Sequence, residues 1–101
     1  MNFIIKQGDT RNALKATLVP SSDLIDVQSV RFRMATTLFK NVIDRTVDVF
    51  DNPVAIVVFL PDEVAIAGNY LAEFVVQYKD GKTEIFPSDD YIKVRILRSV
   101  G

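Results

Sequence analysis

The chain has 101 residues, of which 49% are hydrophobic, so it is large enough to form one domain with its own apolar core. It contains no cysteine and no histidine, which excludes disulfides, thiol chemistry, and the commonest general base and metal ligand. Lys and Arg number 12 against 13 Asp and Glu, a net charge of −1, and this balance does not favour a nucleic-acid partner.

The sequence shows no targeting or membrane-spanning segment. Residues 1–9 contain too few apolar residues for a signal peptide and lack a basic lead. The longest apolar run, residues 54–60, lies between Pro53 and Pro61 and is far shorter than the ~20 residues of a membrane helix. We therefore expect a soluble protein that has no membrane partner.

Short apolar runs alternate with turn signals along the whole chain, which predicts an all-β sandwich. The predicted strands span residues 3–6, 13–19, 30–34, 41–50, 54–60, 70–78, 82–86 and 91–97. Residues 41–50 differ from the others because their apolar side chains fall on both faces around Asp44 and Arg45. One helical turn is expected after Pro61, with Asp62 or Glu63 near its start. No segment between strands is long enough for a crossover helix, so a parallel α/β fold is disfavoured.

Four residues in the last third predict the type of sandwich. Asp-Gly at 80–81 lies between two apolar-rich runs, and such a hairpin turn needs the positive φ that Gly81 supplies. Gly68 followed by Tyr70 opens a strand in the manner of the corner in immunoglobulin-like sandwiches, where the tyrosine is buried and its hydroxyl bonds nearby backbone. Pro87 closes the returning strand. We predict one domain, residues 1–101, folded as an immunoglobulin-like antiparallel β-sandwich of seven to eight strands.

No residue pattern indicates catalysis, a metal or a cofactor. The serines have no evident base beside them, and no glycine-rich phosphate loop occurs. The loop acids lack the spacing of a dedicated calcium loop and are better interpreted as solvated, although calcium binding by a loop stays open. These acids are Asp44, Asp48, Asp51, Asp62, Asp89 and Asp90. We expect a protein that is not an enzyme.

Basic side chains occupy outward positions of several alternating strands, namely Lys15, Arg31, Arg33, Lys93, Arg95 and Arg98. Such positions are where soluble proteins commonly place Lys and Arg, and a merely solvated surface is the favoured interpretation. The sharper one is a docking face for an acidic partner, if two of these strands share a sheet. Arginine is the better interface residue, which favours Arg31, Arg33, Arg95 and Arg98.

A second candidate surface is the apolar N-terminal strand, with Phe3 and Ile5 as its candidate interaction residues. An unpaired edge there could accept a partner strand, although the strand could equally be paired within the domain.

The order of several short motifs resembles the N-terminal domain of upper baseplate proteins, which are tail components of siphophages that infect Gram-positive bacteria. The resemblance covers residues 2–97 and rests on Ile4-x-x-x-Gly8-Asp9-Thr10, Val30-x-Phe32, Gly68-Asn69-Tyr70-x-x-Glu73-Phe74, Asp80-Gly81-Lys82 and Phe86-Pro87-x-x-x-Tyr91-Ile92. It implies an immunoglobulin-like assembly module that docks onto the tail hub and carries receptor-binding components outward. It also implies other tail and baseplate proteins as partners, a homo-oligomer in the particle, and location in the virion after synthesis in the host cytoplasm.

The alternative is a carbohydrate- or ligand-binding sandwich, such as an accessory domain of an adhesin or a surface hydrolase. Sugar binding generally uses exposed aromatic side chains, and this chain has no tryptophan. Only Tyr78, Phe39 and Tyr91 are candidates for such contacts, which favours the assembly module over the sugar-binding domain.

Overall fold

The computed structural model describes residues 1–18 and 24–100, which form nine strands and one short 3₁₀ turn. The strands are β1 Asn2–Lys6, β2 Leu14–Thr17, β3 Val27–Thr36, β4 Asn41–Thr46, β5 Val49–Asp51, β6 Val54–Val57, β7 Gly68–Tyr78, β8 Thr83–Phe86 and β9 Ile92–Leu97. The turn is Pro61–Val64, where a single helical turn was predicted. Among the described residues, no helix has the length and apolar character that crossing a membrane requires.

Two sheets make up the fold. The larger has the strand order β1-β9-β7-β3-β4, with β8 also paired to β7, and the smaller has the order β2-β6-β5. The predicted all-β, immunoglobulin-like sandwich is confirmed, with nine strands in place of seven to eight. One strand pair also departs from the antiparallel prediction, because β1 runs parallel to β9.

The ninth strand arises because residues 41–50 divide between the two sheets. Val47 N–H donates to Val30 O of the larger sheet, whereas Asp48 N–H donates to Ile56 O of the smaller one, both at 3.1 Å. The chain thus crosses from β4 to β5 at this point, and the inward face changes with the sheet. This crossing explains why the apolar residues of the segment showed no single alternation. The end of the predicted strand 13–19 lies outside the described residues.

The core lies between the inner faces of the two sheets. Alternate residues of each strand point into it, as in Val30, Phe32 and Met34 of β3. The Phe32 ring lies 5.3 Å from Phe74 and meets Phe59 edge-on at 6.0 Å, measured between centroids. No polar or charged residue is buried within ranges 1–18 and 24–100. Apolar burial is therefore the main stabilising term.

The predicted corner and hairpin are both confirmed. Tyr70 is 8% exposed, and its hydroxyl donates to Ile66 O at 2.7 Å. Gly81 has φ of +89° and closes a three-residue loop in which Gly81 N–H donates to Tyr78 O at 3.0 Å and Tyr78 N–H to Lys82 O at 2.9 Å. This geometry is the type I turn with a left-handed glycine that three-residue hairpins favour. Strand β8 ends at Phe86, directly before Pro87.

Strands β8 and β9 lie end to end along the same edge of β7. Residues 74–77 of β7 pair with β8, and residues 68–72 pair with β9. The connection between them, residues 87–91, therefore lies beside the middle of β7. This arrangement brings Tyr91 onto the outer face of the larger sheet, next to the strand that carries Leu71 and Glu73.

Candidate interaction surface

The outward basic residues lie on different parts of the molecule. Strands β3 and β9 share the larger sheet, so Arg31, Arg33, Lys93 and Arg95 all lie on its outer face. Lys15 is on β2 of the other sheet, and Arg98 is exposed beyond the end of β9. The condition for a shared basic face is thus met by β3 and β9.

The two arginines of β3 are paired within the domain. Arg31 Nη2 lies 3.0 Å from Asp44 Oδ1, and the same nitrogen donates to Asp44 O at 3.1 Å. Arg33 Nε lies 3.7 Å from Asp44 Oδ1, and Glu73 is opposite Arg33 on the neighbouring strand. Two acids therefore offset the charge of this part of the sheet.

The two cations of β9 have a different environment. Lys93 is opposite Asn2 on one side and Leu71 on the other, and Arg95 is opposite Ile4 and Asn69. None of these four neighbours is acidic, and within the described chain neither cation has a carboxylate in ion-pair range. Lys6 is a third exposed cation, on the same outward side of β1. The surface over β1 and β9 is consequently positive on a molecule whose net charge is −1.

A groove of about 420 Å³ lies on this part of the sheet. We call it the basic groove, and its principal lining residues are Asn2, Ile4, Asn69, Leu71, Lys93 and Arg95. Ile4 is 61% exposed although it is a large apolar residue in a strand. Leu71, on the central strand β7, is a second apolar residue of the lining and is half-buried. The basic groove thus combines an apolar lining with two cations.

An aromatic pair lies beside the basic groove. The rings of Phe39 and Tyr91 are 6.0 Å apart between centroids and inclined at 57°. Phe39 has φ of +62° in the β3–β4 turn, where its N–H donates to Thr36 O at 2.8 Å. The two rings line a smaller pocket of about 140 Å³, with Arg33, Asn41, Leu71 and Glu73 among its other residues. We call Phe39 and Tyr91 the aromatic bridge, because Phe39 comes from the β3–β4 turn and Tyr91 from the residue just before β9.

The third aromatic candidate lies elsewhere. Tyr78 is half-buried at the end of β7 and packs against the core, and its hydroxyl donates to Glu84 Oε1 at 2.7 Å. Burial, and then the bond to the Glu84 carboxylate, raise the pKa of Tyr78 to about 12. The structure thus brings Phe39 and Tyr91 together and places Tyr78 apart from them.

The N-terminal strand presents Phe3 and Ile5 on its inner face. Phe3 stacks on Phe59 at 5.8 Å between centroids, and Ile5 is 3% exposed. Because both side chains belong to the core side, they are not available to a partner. One edge of β1 pairs with β9, and in the described part of the chain no strand pairs with its other edge. Any strand addition there would use the backbone, with Ile4 as the outward side chain.

Arg45 forms an ion cluster that the sequence did not reveal. It is opposite Phe32 on β3, so it lies on the inner side of β4. Its Nε donates to Glu63 Oε2 at 2.7 Å, its Nη1 to Asp48 Oδ2 at 3.1 Å, and its Nη2 to Val58 O at 2.9 Å. The hydrogen bond to Glu63 is the main reason that the pKa of Arg45 is raised above its usual value. The cluster ties the larger sheet to the 3₁₀ turn and is structural.

Several residues of this surface were missed in the sequence. Leu71 and Glu73 received no interaction role, and Ile4 was considered only as part of the apolar N-terminal strand. Alternation along β7 places Leu71 outward between Asn69 and Glu73. An apolar residue at an outward strand position was the available signal. As for the loop acids, Asp44 and Asp48 lie in ion pairs with arginine, and the described residues contain no group of three or more acids that could hold a metal ion.

The comparisons with known proteins inform the fold only. No protein-family model matches the chain, and no curated protein sequence matches it significantly. Among solved structures, the chain is similar to CopC from Methylosinus trichosporium OB3b, with a TM-score of 0.60 over 99% of this chain and 87% of that one. The two sequences are 10% identical, so the likeness supports the immunoglobulin-like sandwich and no shared activity.

Proposed function

We propose that this chain is a non-enzymatic assembly module that acts through protein–protein contacts. The observation that carries the proposal is the outer face of the larger sheet, where exposed Ile4 lies beside Lys93 and Arg95. Neither cation has an ion-pair partner among the described residues. Exposed apolar side chains bordered by polar residues are typical of surfaces that a partner covers. A rigid two-sheet core would hold that face in one shape, which lowers the entropic cost of docking.

The setting that we propose is a bacteriophage tail or baseplate. This step depends on the resemblance to upper baseplate proteins described above, whose sandwich fold this chain shares. In that setting the partners are other tail and baseplate proteins, together with further copies of this chain arranged around the tail axis. The module would link the tail hub to the components that recognise the host.

A pull-down from the native bacterium tests this setting. The tagged protein is incubated with lysates prepared with and without prophage induction, and the retained proteins are identified by mass spectrometry. Tail or baseplate proteins in the induced sample alone are the expected result. Cell-wall or secreted proteins in both samples, with no tail component, would overturn the phage assignment.

The aromatic bridge favours a second candidate function, binding of a carbohydrate. Phe39 is 64% exposed, and the rings stand beside the polar groups of Arg33, Asn41 and Glu73. Aromatic faces combined with a few polar groups are a common arrangement in small ligand sites. The pocket of about 140 Å³ would hold only part of a sugar chain.

Titration with cell-wall polysaccharide separates the two functions. Intrinsic tyrosine fluorescence or NMR shifts that saturate, and that disappear in Tyr91→Ala, would support the carbohydrate function. Tyr78→Phe is the matched control, because that ring lies outside the aromatic bridge. We expect no saturable change, which would leave the assembly module as the better explanation.

A further inference from the structure

We propose that the basic groove binds an extended segment of a partner protein that presents acidic and apolar side chains on the same face. This inference rests on the proposed function and deepens it, because it assigns the docking position and the chemistry of the partner. Of the six outward basic residues named in the sequence analysis, the proposal keeps only Lys93 and Arg95 as contacts with the partner. Ile4 and Leu71 supply the apolar contacts.

The choice between β3 and β9 follows from charge. On β3, Arg31 and Arg33 share Asp44 and have Glu73 beside them. An acidic partner would have to displace these carboxylates and would gain little. On β9, the flanking strands supply Asn2, Leu71, Ile4 and Asn69, so Lys93 and Arg95 face no competing acid in the described part of the chain. Charge complementarity is therefore available only over β9.

The apolar lining distinguishes a protein segment from a simple polyanion. Ile4 is one of the most exposed large apolar residues within a strand, and Leu71 also lines the groove of about 420 Å³. A phosphate or sulfate polymer would bind the cations and leave the apolar surface of Ile4 and Leu71 exposed to water. A peptide with leucine-type side chains would cover Ile4 and Leu71 while its carboxylates meet Lys93 and Arg95, so both kinds of lining are used.

The spacing of the lining fits an extended chain. Residues 93 and 95 are two apart on one strand, so their side chains lie on the same face, about 7 Å apart. Carboxylates at alternate positions of an extended peptide have the same spacing. Val94, the residue between them, points to the core, so the outward side chains that β9 supplies to the groove are the two cations.

The test uses the whole protein labelled with ¹⁵N and a capped heptapeptide of sequence leucine-serine-glutamate-serine-glutamate-serine-leucine, whose leucine and glutamate side chains share one face when the chain is extended. Amide shifts are expected to concentrate at residues 4, 71, 93 and 95, with weaker binding as salt is raised, because exposed charges are screened. The double variant Lys93→Glu, Arg95→Glu should weaken binding by about tenfold or more. Its matched control, Lys15→Glu with Lys82→Glu, makes the same charge change away from the groove and should alter affinity by no more than about twofold.

Three kinds of result would overturn the proposal. Equal binding by the peptide with serine in place of both leucines, or by inorganic polyphosphate, would show a polyanion site without apolar recognition. Equal loss of affinity in both double variants would show nonspecific charge attraction. Dimerisation of the protein alone, seen by sedimentation and abolished by Lys93→Glu with Arg95→Glu, would assign the groove to a second copy of this chain.

The groove and the proposed function can fail separately. If the pull-down retrieves tail proteins equally with the wild type and with Lys93→Glu, Arg95→Glu, the assembly role stands and the groove assignment is wrong. If the peptide binds in the groove as described but no tail protein is retained, the groove assignment stands and the phage setting is wrong.

Discussion

At the scale of single residues, Tyr70 is the side chain for which the sequence predicted both the burial of the ring and the hydrogen bond of the hydroxyl. Its ring fills the space behind the corner, and its hydroxyl satisfies the carbonyl of Ile66 at 2.7 Å. A phenylalanine would keep the ring and leave that partly buried carbonyl without its donor. The hydroxyl therefore stabilises the link between the 3₁₀ turn and β7.

We expect Tyr70→Phe to lower the free energy of unfolding by about 1–2 kcal/mol, the usual cost of one lost hydrogen bond at a partly buried site. Urea denaturation measures the change. Tyr91→Phe is the control, since no hydrogen bond of that hydroxyl is recorded among residues 1–18 and 24–100, and its effect should stay within about 0.5 kcal/mol. Equal stability of the two variants would contradict the structural role of the Tyr70 hydroxyl.

Tyr78 gives the molecule a dependence on alkaline pH. Its pKa rises from the usual 10.0 to about 12 in the folded protein. Below about pH 10 the side chain is neutral in both states, so its contribution to stability is complete. As the pH rises from 10 toward 12, the unfolded state loses the proton first, and the folded state is destabilised.

We expect Tyr78→Phe to lose less stability than the wild type over that alkaline range, because the variant has no proton to release. Unfolding curves at several pH values measure the difference. A parallel decline of the two proteins would show that the Tyr78 hydroxyl does not titrate differently on folding.

At the scale of secondary structure, the Arg45 cluster fastens β4 to the 3₁₀ turn. Glu63 accepts from Arg45 through both oxygens, and Glu63 Oε1 also accepts from Leu60 N–H at 2.8 Å. The Glu63 side chain is 11% exposed, so its charge depends on Arg45 for compensation. Removal of Arg45 leaves the Glu63 carboxylate largely buried without its cation, whereas removal of Glu63 leaves Arg45 with Asp48 as its remaining ion-pair partner.

A double-mutant cycle of Arg45→Met and Glu63→Gln measures this coupling. We expect each single variant to lose about 2 kcal/mol of stability, with a coupling energy of about 1–2 kcal/mol between them. Glutamine retains an oxygen for Leu60 N–H, so the cycle isolates the ion pair. A cycle of Arg31→Met and Asp44→Asn, an exposed pair, serves as reference and should give about 0–1 kcal/mol. A larger coupling energy for Arg31 and Asp44 than for Arg45 and Glu63 would contradict the structural role given to Arg45.

The strands themselves were largely predictable, and the reasons differ from one to another. β3 and β9 alternate strictly, and the turn at Gly81 and the corner at Tyr70 have short-range signals. Residues 41–50 were not resolved into two strands, because their pattern is the sum of two segments that face different sheets. The strand predicted at residues 54–60 was too long, because residues 58–60 are apolar but do not pair with a neighbouring strand.

The interaction surface was less predictable, because it depends on which strands become neighbours. The sequence placed Lys93 and Arg95 outward correctly, but the neighbours Ile4 and Leu71 follow from the β1-β9-β7 order. The aromatic bridge likewise depends on the positive φ of Phe39, which a non-glycine residue rarely adopts. The alternation of apolar and polar residues does not reveal which distant strands pair, nor where a non-glycine residue adopts a positive φ.

At the scale of the whole molecule, the parallel pairing of β1 and β9 determines how the domain would respond to tension. Lys93 N–H donates to Met1 O at 2.9 Å at one end of the pair, and Gln7 N–H donates to Leu97 O at 2.8 Å at the other. A force that draws Met1 and Val100 apart pulls the two strands lengthwise past each other. All the hydrogen bonds between them then bear load together, whereas a peeling geometry breaks them one at a time.

We expect a single-molecule pulling experiment between Met1 and Val100 to give a higher unfolding force than one between Met1 and Gly81. A lower unfolding force between Met1 and Val100 would contradict the shear geometry. Strands that are loaded in shear in this way would transmit tension along the domain without separating.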